Sequence, residues 1–399
     1  MANVSSSNGL EKRPRLAFRN TDGSHFPCWR QTSLGCIIEP YSEKVYGEHD
    51  YEVLTSAREG LQRQEDHFGS KQRHDTDGYN IIPFGYCTYR NRSDDGKFAF
   101  NINTISEKAI VSKFYPVFRF TNANSTFMAE FLNSSPRVKK KLSVLAVGTS
   151  QVVLSFEALK AAKFDLPCKD EQDKIAAFLE CLNARIENQR TLVVALKKYK
   201  RGVVDGIFSR KLNFSYPQTW AELEISELFM PISDKGYSDK IVLTIVQGEG
   251  TMPRDSVDRR IAYDKSTISS YKRVLPNDFI LHLRSFEGGL EIVNEEGVVS
   301  PAYTILRARN EIIPLFFYTF FRSYWFINSK LRISVEGIRD GKSINMNTFW
   351  HIKVPVPSIE EQRHISALIS SIDNRIKIAE FEYKRLLQIR VGLMQQLFI

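Results

Sequence analysis

The chain has few of the residues that staple, ligate or anchor a protein. Five of its 399 residues are cysteine (Cys28, Cys36, Cys87, Cys168 and Cys181); all lie in the first half, and none forms a Cys-x2-Cys pair. An odd, scattered set argues against a disulfide framework or a zinc knuckle and suits a reducing cytoplasm, where the protein is expected to reside. No apolar run approaches bilayer-crossing length and residues 1–9 form no apolar signal core, so neither export nor a membrane association is expected. His67 and His74, the tightest histidine pair, lack the spacing or company of a metal site, and no metal is expected.

Signatures of catalysis are also missing. A base-modifying methyltransferase would show a Gly-rich cofactor turn after a strand and an Asn-Pro-Pro-aromatic or Asp-Pro-Pro-aromatic stretch for the flipped base, and neither occurs. Gly337-x3-Gly341-Lys342-Ser343 resembles a phosphate-binding loop but is one residue short between its glycines. It reads as a surface loop or a basic loop facing a DNA phosphate. No catalytic residue and no cofactor are expected in this chain.

What is present suits a folded protein of two or three domains: 42% of residues are hydrophobic and 25% charged. Lys and Arg number 55 against 46 Asp and Glu, a formal charge of +9, which favours a polyanionic partner.

The organising feature is an internal repeat. Pro167-x3-Glu171-Gln172-x2-Ile175 returns 190 residues later as Pro357-x3-Glu361-Gln362-x2-Ile365. The offset persists through Arg185/Arg375, Ile186/Ile376, Leu196/Leu386, Gly202/Gly392 and Phe208/Phe398. It also reaches backward, with small insertions: Val111-Ser112-x2-Tyr115 returns as Val299-Ser300-x2-Tyr303, and Pro27-x-Trp29 as Pro217-x2-Trp220. Each half is a globular segment followed by a long helix.

Heptad spacing marks the helices. Ile175, Leu179, Leu182, Ile186, Val193 and Leu196 form one seam, with Gln189 and Lys200 filling polar positions; Ile365, Ile369, Ile372, Ile376, Tyr383 and Leu386 form the other, with Arg390 standing where Lys200 stood. Proline at 167 and 357 ends the preceding extended segment, and Ser358 with Glu361 makes a capping box. Glu171-Gln172 and Glu361-Gln362 read as structural residues of the first helical turn. About forty residues make a rod of about 60 Å. The Lys197-Lys198-Tyr199-Lys200-Arg201 run is either a solvated face or a contact to a DNA backbone.

The globular segments mix β-branched and aromatic runs (98–102, 117–120, 298–306) with helical stretches (126–142, 314–333). The fold class is therefore α+β, with two globular domains joined by two long helices. If those helices pair with each other they are antiparallel, and Phe398 returns to the start of the chain. Leu212-Asn213-Phe214, following the first helix, would match Leu16-Ala17-Phe18 if the ends were joined: a cyclic pseudo-two-fold repeat. The expected boundaries are an N-terminal segment at 1–24, a domain at 25–167, a helix at 168–210, a domain at 211–357 and a helix at 358–399.

This pattern resembles the type I restriction-modification specificity subunits. The resemblance covers nearly the whole chain: each segment opens on a Trp near a Leu-Gly-like step (Trp29, Leu34-Gly35) and closes on Pro-x3-Glu-Gln-x2-Ile before a long helix. It departs at Ile225-Ser226, which stands for Leu34-Gly35 in the second copy. The resemblance implies a non-catalytic subunit whose two target-recognition domains each read one half of a bipartite double-stranded DNA site. It further implies two methyltransferase subunits docked on the helices, with S-adenosylmethionine bound in them, and motor-nuclease subunits as further partners. Competing readings are a self-contained DNA-modifying enzyme and a coiled-coil adaptor without DNA binding.

Base-contacting residues vary with target in that family, so candidates come from residue type and loop-like setting. Tyr89, Arg90 and Arg92 combine a stacking ring with phosphate- or base-binding cations. Arg58, Arg63, Lys97, Thr149, Gln151 and Arg254 lie in loop-like stretches; Arg284, with His282, is the second-half counterpart of the Tyr89–Arg92 segment, and Arg339 and Lys342 belong to the Gly-rich basic loop.

Overall fold

The computed structural model describes residues 14–69, 75–212, 219–257, 265–282, 289–337 and 343–398. Two compact units divide the chain: Met1–Gln189 with Glu382–Ile399, and Arg190–Phe381. The helices Lys169–Phe208 and Ile359–Leu397 each contribute to both.

In the first unit the main antiparallel sheet runs in the order Ile38–Tyr41, Val117–Phe120, Cys87–Tyr89, Phe100–Ile102. Apolar side chains seal it: Cys87, Tyr89 and Phe118 on its inner strands and Phe100 on the edge strand are buried. A second sheet runs Gly60–Arg63, Glu52–Ala57, Lys108–Val111, Asn80–Pro83, with one parallel pairing between Glu52–Ala57 and Lys108–Val111. Helix Ser125–Ser134 presses Phe127, Met128, Phe131 and Leu132 into the core. Asn124 caps it, its Oδ1 accepting from the Phe127 amide at 3.0 Å.

The second unit repeats this order. Its main sheet runs Phe229–Ile232, Tyr303–Ala308, Phe279–His282, Glu291–Ile292. The hairpin Leu243–Val246/Gly250–Pro253 and the pair Lys272–Val274/Gly297–Val299 are linked by a parallel bridge from Val242 to Val298. That bridge stands where the first unit has its parallel pairing. The Leu34 and Ile225 amides donate to equivalent carbonyls, Ala162 at 2.8 Å and Ile352 at 3.0 Å. Ile225-Ser226 thus does the work of Leu34-Gly35.

Both expected helical stretches are helical, each in more than one piece. The 126–142 stretch is two helices, Ser125–Ser134 and Pro136–Leu145, because Pro136 has no amide to continue the ladder and starts a new helix capped by Ser135. The 314–333 stretch is helix Pro314–Phe321, then a π-helical turn at Phe326–Lys330 and a 3-10 turn at Leu331–Ser334.

Each long helix begins on the same clamp. Gln172 accepts from the Asn124 amide at 2.9 Å and donates to the Pro167 carbonyl at 3.0 Å. Gln362 accepts from the Ile313 amide and donates to the Pro357 carbonyl, both at 3.0 Å. Both glutamines are buried, so their amides satisfy backbone groups that water does not reach. Glu171 accepts from the Trp29 indole at 3.2 Å, tying the opening Trp to the helix head. Ser358 caps the second helix, accepting from the Glu361 amide at 3.2 Å.

Within each unit the helices run antiparallel. In the first, Arg390 meets Asn183 at 2.8 Å and Gln189 meets Glu382 at 3.2 Å; in the second, Lys197 meets Glu380 at 2.7 Å and Lys200 meets Asp373 at 2.6 Å. Seam residues Ile175, Leu179, Ile186, Ile365, Ile369, Ile372 and Ile376 are buried, whereas Leu182, Leu196 and Leu386 are half-buried. The helix ends complete the domain cores. Phe398 meets Phe131 edge-on at 5.5 Å, as Phe208 meets Phe320 at 5.0 Å.

The cyclic repeat has a hydrogen-bond signature. Leu16 donates to the Gln396 carbonyl at 3.0 Å, and Leu212 donates to the carbonyl of Gly206, 190 residues before Gln396, at 2.9 Å.

Candidate nucleic-acid interface

The first unit gathers most of the candidate residues at one end of its main sheet. The strand Cys87–Tyr89 runs out into Arg90-Asn91-Arg92, and Arg92–Ser93 pairs with Val152–Val153. The Val147 and Val153 backbones bond to each other, so Thr149 and Gln151 form the tip of a hairpin beside that exit. Gln151 donates to Asp94 at 2.9 Å and fastens the tip to the 93–97 turn.

Tyr89 is corrected. It is fully buried, its hydroxyl donates to the Leu154 carbonyl at 3.0 Å, and its ring lies 4.9 Å from that of Phe100. A ring with both faces in the core cannot stack on a base. Burial pushes its hydroxyl pKa far up, so it remains a neutral structural phenol.

The cations divide into paired and unpaired sets. Arg58 bonds Asp95 at 2.8 Å, Lys97 lies 3.6 Å from the same carboxylate, and Arg63 bonds Glu52 at 2.9 Å. Among the described residues no carboxylate pairs with Arg90 or Arg92, both exposed. Arg92 instead lies 5.1 Å from the centroid of the Phe114 ring, with Lys113 at 5.7 Å. Phe114 is 50% exposed. Burial raises the pKa of neighbouring Tyr115, and the positive charge of Arg90 acts against that rise, so Arg90 lies close to the same turn.

Sequence reasoning passed over Lys113 and Phe114. They were the two unspecified positions inside the repeated Val-Ser-x2-Tyr, and an apolar residue there carried no sign that the fold would leave it in water.

In the second unit Arg254 is half-buried, its guanidinium 3.5 Å from the Tyr271 hydroxyl. His282, at the sheet end equivalent to Arg90, packs on Tyr303 at 5.3 Å. Arg284, Arg339 and Lys342 lie outside the described residues, as does His74. The loop containing the Gly-x3-Gly-Lys-Ser spacing is flanked by strands Val335–Glu336 and Ser343–Ile344, paired antiparallel. A phosphate-binding loop joins a strand to a helix; this one closes a hairpin. On the long helices, Lys197 and Lys200 serve the helix pair, while Lys198, Tyr199 and Arg201 are exposed.

Among the described residues no group of His, Cys, Asp and Glu could hold a metal ion, and no helix is long and apolar enough to cross a membrane.

The family model described as the type I restriction modification DNA specificity domain matches residues 40–196 and again 217–388. The chain belongs to this family. The boundary between its two specificity domains coincides with the repeat, and each match takes in a main sheet, a glutamine clamp and most of a long helix. The chain is 24% identical over 215 residues to the type I restriction enzyme MjaVIII specificity subunit of Methanocaldococcus jannaschii, a match covering 52% of this chain and 47% of that one. It spans about half the length of the curated relatives it matches. Among solved structures, the S subunit of a type I restriction-modification system from M. genitalium aligns over 97% of this chain and 99% of its own, at 17% identity and TM-score 0.54. The HsdS subunit from Thermoanaerobacter tengcongensis aligns over 93% and 96%, at 16% identity and TM-score 0.51. These likenesses show a shared fold.

Proposed function

We propose that this specificity-domain chain reads a bipartite double-stranded DNA site for a type I restriction-modification complex, each unit reading one half-site. The observation that carries the reading is the duplication itself: two units with one strand order and one helix-head clamp present different side chains at equivalent sheet ends. Such a chain has the form needed to read two unrelated short sequences from similar frames. Cations on phosphates set position, and side chains at base edges set sequence.

The chain acts as the recognition component, and the chemistry belongs to its partners. Two methyltransferase subunits, holding S-adenosylmethionine, dock on the long helices, with motor-nuclease subunits joining the assembly. Exposed apolar side chains on those helices support this: Leu192, Val194, Ile378 and Phe381 in one unit, Leu387 and Val391 in the other, lie in water without a cover of their own. The reading also places the protein in the cytoplasm with the DNA.

The test exchanges residues 27–165 for the corresponding domain of another family member and maps methylated adenines in cells carrying each version. One half-site should change and the other persist. A swap that altered both halves, or neither, would refute modular reading.

A further inference from the structure

In both units a four-residue turn leads into the strand at the centre of the main sheet. These turns, Ser112 to Tyr115 and Ser300 to Tyr303, are closed by backbone bonds from the Tyr amide to the Ser carbonyl, at 2.9 and 3.1 Å. The same neighbouring position pins each turn. Asn80 donates from its side chain to the Tyr115 carbonyl at 2.9 Å, and Lys272 donates to the Tyr303 carbonyl at 2.7 Å. Asn80 and Lys272 are equivalent, since they pair in register with Val111 and Val299, each immediately before its turn's serine. In the first unit Thr88 adds a bond to the Pro116 carbonyl at 2.8 Å.

The frame is repeated and the tip is not. Lys113-Phe114 crowns the first turn and Pro301-Ala302 the second, all four exposed. A ring in water on a turn held by buried polar groups contributes little to its own core. The backbone that presents it outward is ordered by those bonds, so that part of the ordering entropy is lost on folding rather than on binding. The nearby carboxylates are otherwise engaged: Asp95 takes Ser93, Arg58 and Lys97, and Asp94 takes Gln151. Among the described residues none pairs with Arg90, Arg92 or Lys113. Two unneutralised cations beside an exposed ring, with Arg90 close to the same turn, match an anionic backbone beside an apolar base surface, such as a thymine methyl or an unstacked base edge.

We infer that Phe114 with Arg90, Arg92 and Lys113 is a DNA contact of the first unit, and that the two-residue tip is where the repeated frame is set to read different half-sites. The cations lie on phosphates and the ring against a base. This rests on the DNA-reading role proposed above.

The test uses the full chain assembled with its methyltransferase subunits and a duplex bearing the site found by methylation mapping. Phe114→Ala should weaken binding on the order of tenfold and relax preference in one half-site only. Arg92→Gln should weaken all duplexes alike and lower the slope of log affinity against log salt by about one. Arg63→Gln, whose guanidinium is already neutralised by Glu52, should change affinity less than about twofold. The double variant Lys113→Pro, Phe114→Ala copies a tip that the second unit already carries, so it should fold and still lose the half-site preference. Binding by Phe114→Ala and by the double variant within about twofold of the parent, with both half-sites intact, would overturn the inference while leaving the DNA-reading role standing. A parent complex that recognises no bipartite site would overturn both.

Discussion

Arg390 holds both carboxylate oxygens of Glu130, at 2.9 and 2.8 Å, while its Nε donates to Asn183 at 2.8 Å. Lys200, the residue 190 positions earlier, bonds Asp373, which stands 190 positions after Asn183. The two polar crossings are therefore the same crossing in two copies. Where the first copy has Asn183 in place of an acid, helix Ser125–Ser134 supplies the carboxylate. A slip in helix register would strand a half-buried charge, so these crossings specify how the apolar seams align.

Replacing Arg390 with Met should cost about 2 kcal/mol, because Glu130 is left largely buried without its counter-charge. Glu130→Gln should cost about 1 kcal/mol, and the double variant less than the two combined. Denaturant unfolding of the full chain measures the cycle; strict additivity would show that the pair is not coupled.

The glutamine clamps should tolerate neither loss nor charge. Gln172→Glu keeps an acceptor for the Asn124 amide but sets an anion against the Pro167 carbonyl, and about 3 kcal/mol is expected from the lost donor and the buried charge. Gln362→Glu should behave alike in its own unit. Hydrogen exchange read by mass spectrometry should show lost protection around the altered helix head, and an unchanged pattern would refute the clamp.

Phe398→Ala removes a buried ring that meets Phe127 and Phe131, and about 3–4 kcal/mol of destabilisation is expected. Phe208→Ala should match it through Phe316 and Phe320. Exchange should rise in Ser125–Ser134 for the first variant and in Pro314–Phe321 for the second. Crossed effects would show that the helix ends do not belong to those cores.

Asp95 sets a pH limit on the turn beside the candidate contact. Its pKa is lowered from 3.8 to about 2, first by the Ser93 hydroxyl, with the Lys97 amide and the Arg58 guanidinium adding to it. A folded-state value below the unfolded one means that the turn's stabilisation is complete above about pH 4 and is lost as pH falls through about 2. The Asp95 carboxylate should thus stay ionised at about pH 3 and titrate closer to about pH 4 in Ser93→Ala, read from its side-chain carbon shift by NMR. Equal acid sensitivity in both proteins would remove the Ser93 contribution.

The repeat, the two helices, their antiparallel sense and the α+β class are legible in the sequence because they rest on periodic and duplicated apolar residues. Burial patterns repeat whenever the same face packs on the same core. The Glu-Gln motif was legible as a helix head, but not as a clamp, since the Asn124 and Ile313 amides it satisfies lie 48 and 49 residues before their glutamines. Pro136, which starts the second of the two helices within 126–142, is a break that the sequence itself carries.

The candidate contact was the part that only tertiary structure decided. Tyr89 and Arg90 are chain neighbours of equal local promise, yet a central strand covered on both faces buries the first, and its end exposes the second. Arg58 is as basic as Arg92, but Asp95, 37 residues away, neutralises it. Local sequence determines which face of an element is apolar and how often it recurs. Which charges remain unpaired, and which ring is left in water, depends on segments distant in the chain that packing alone brings together.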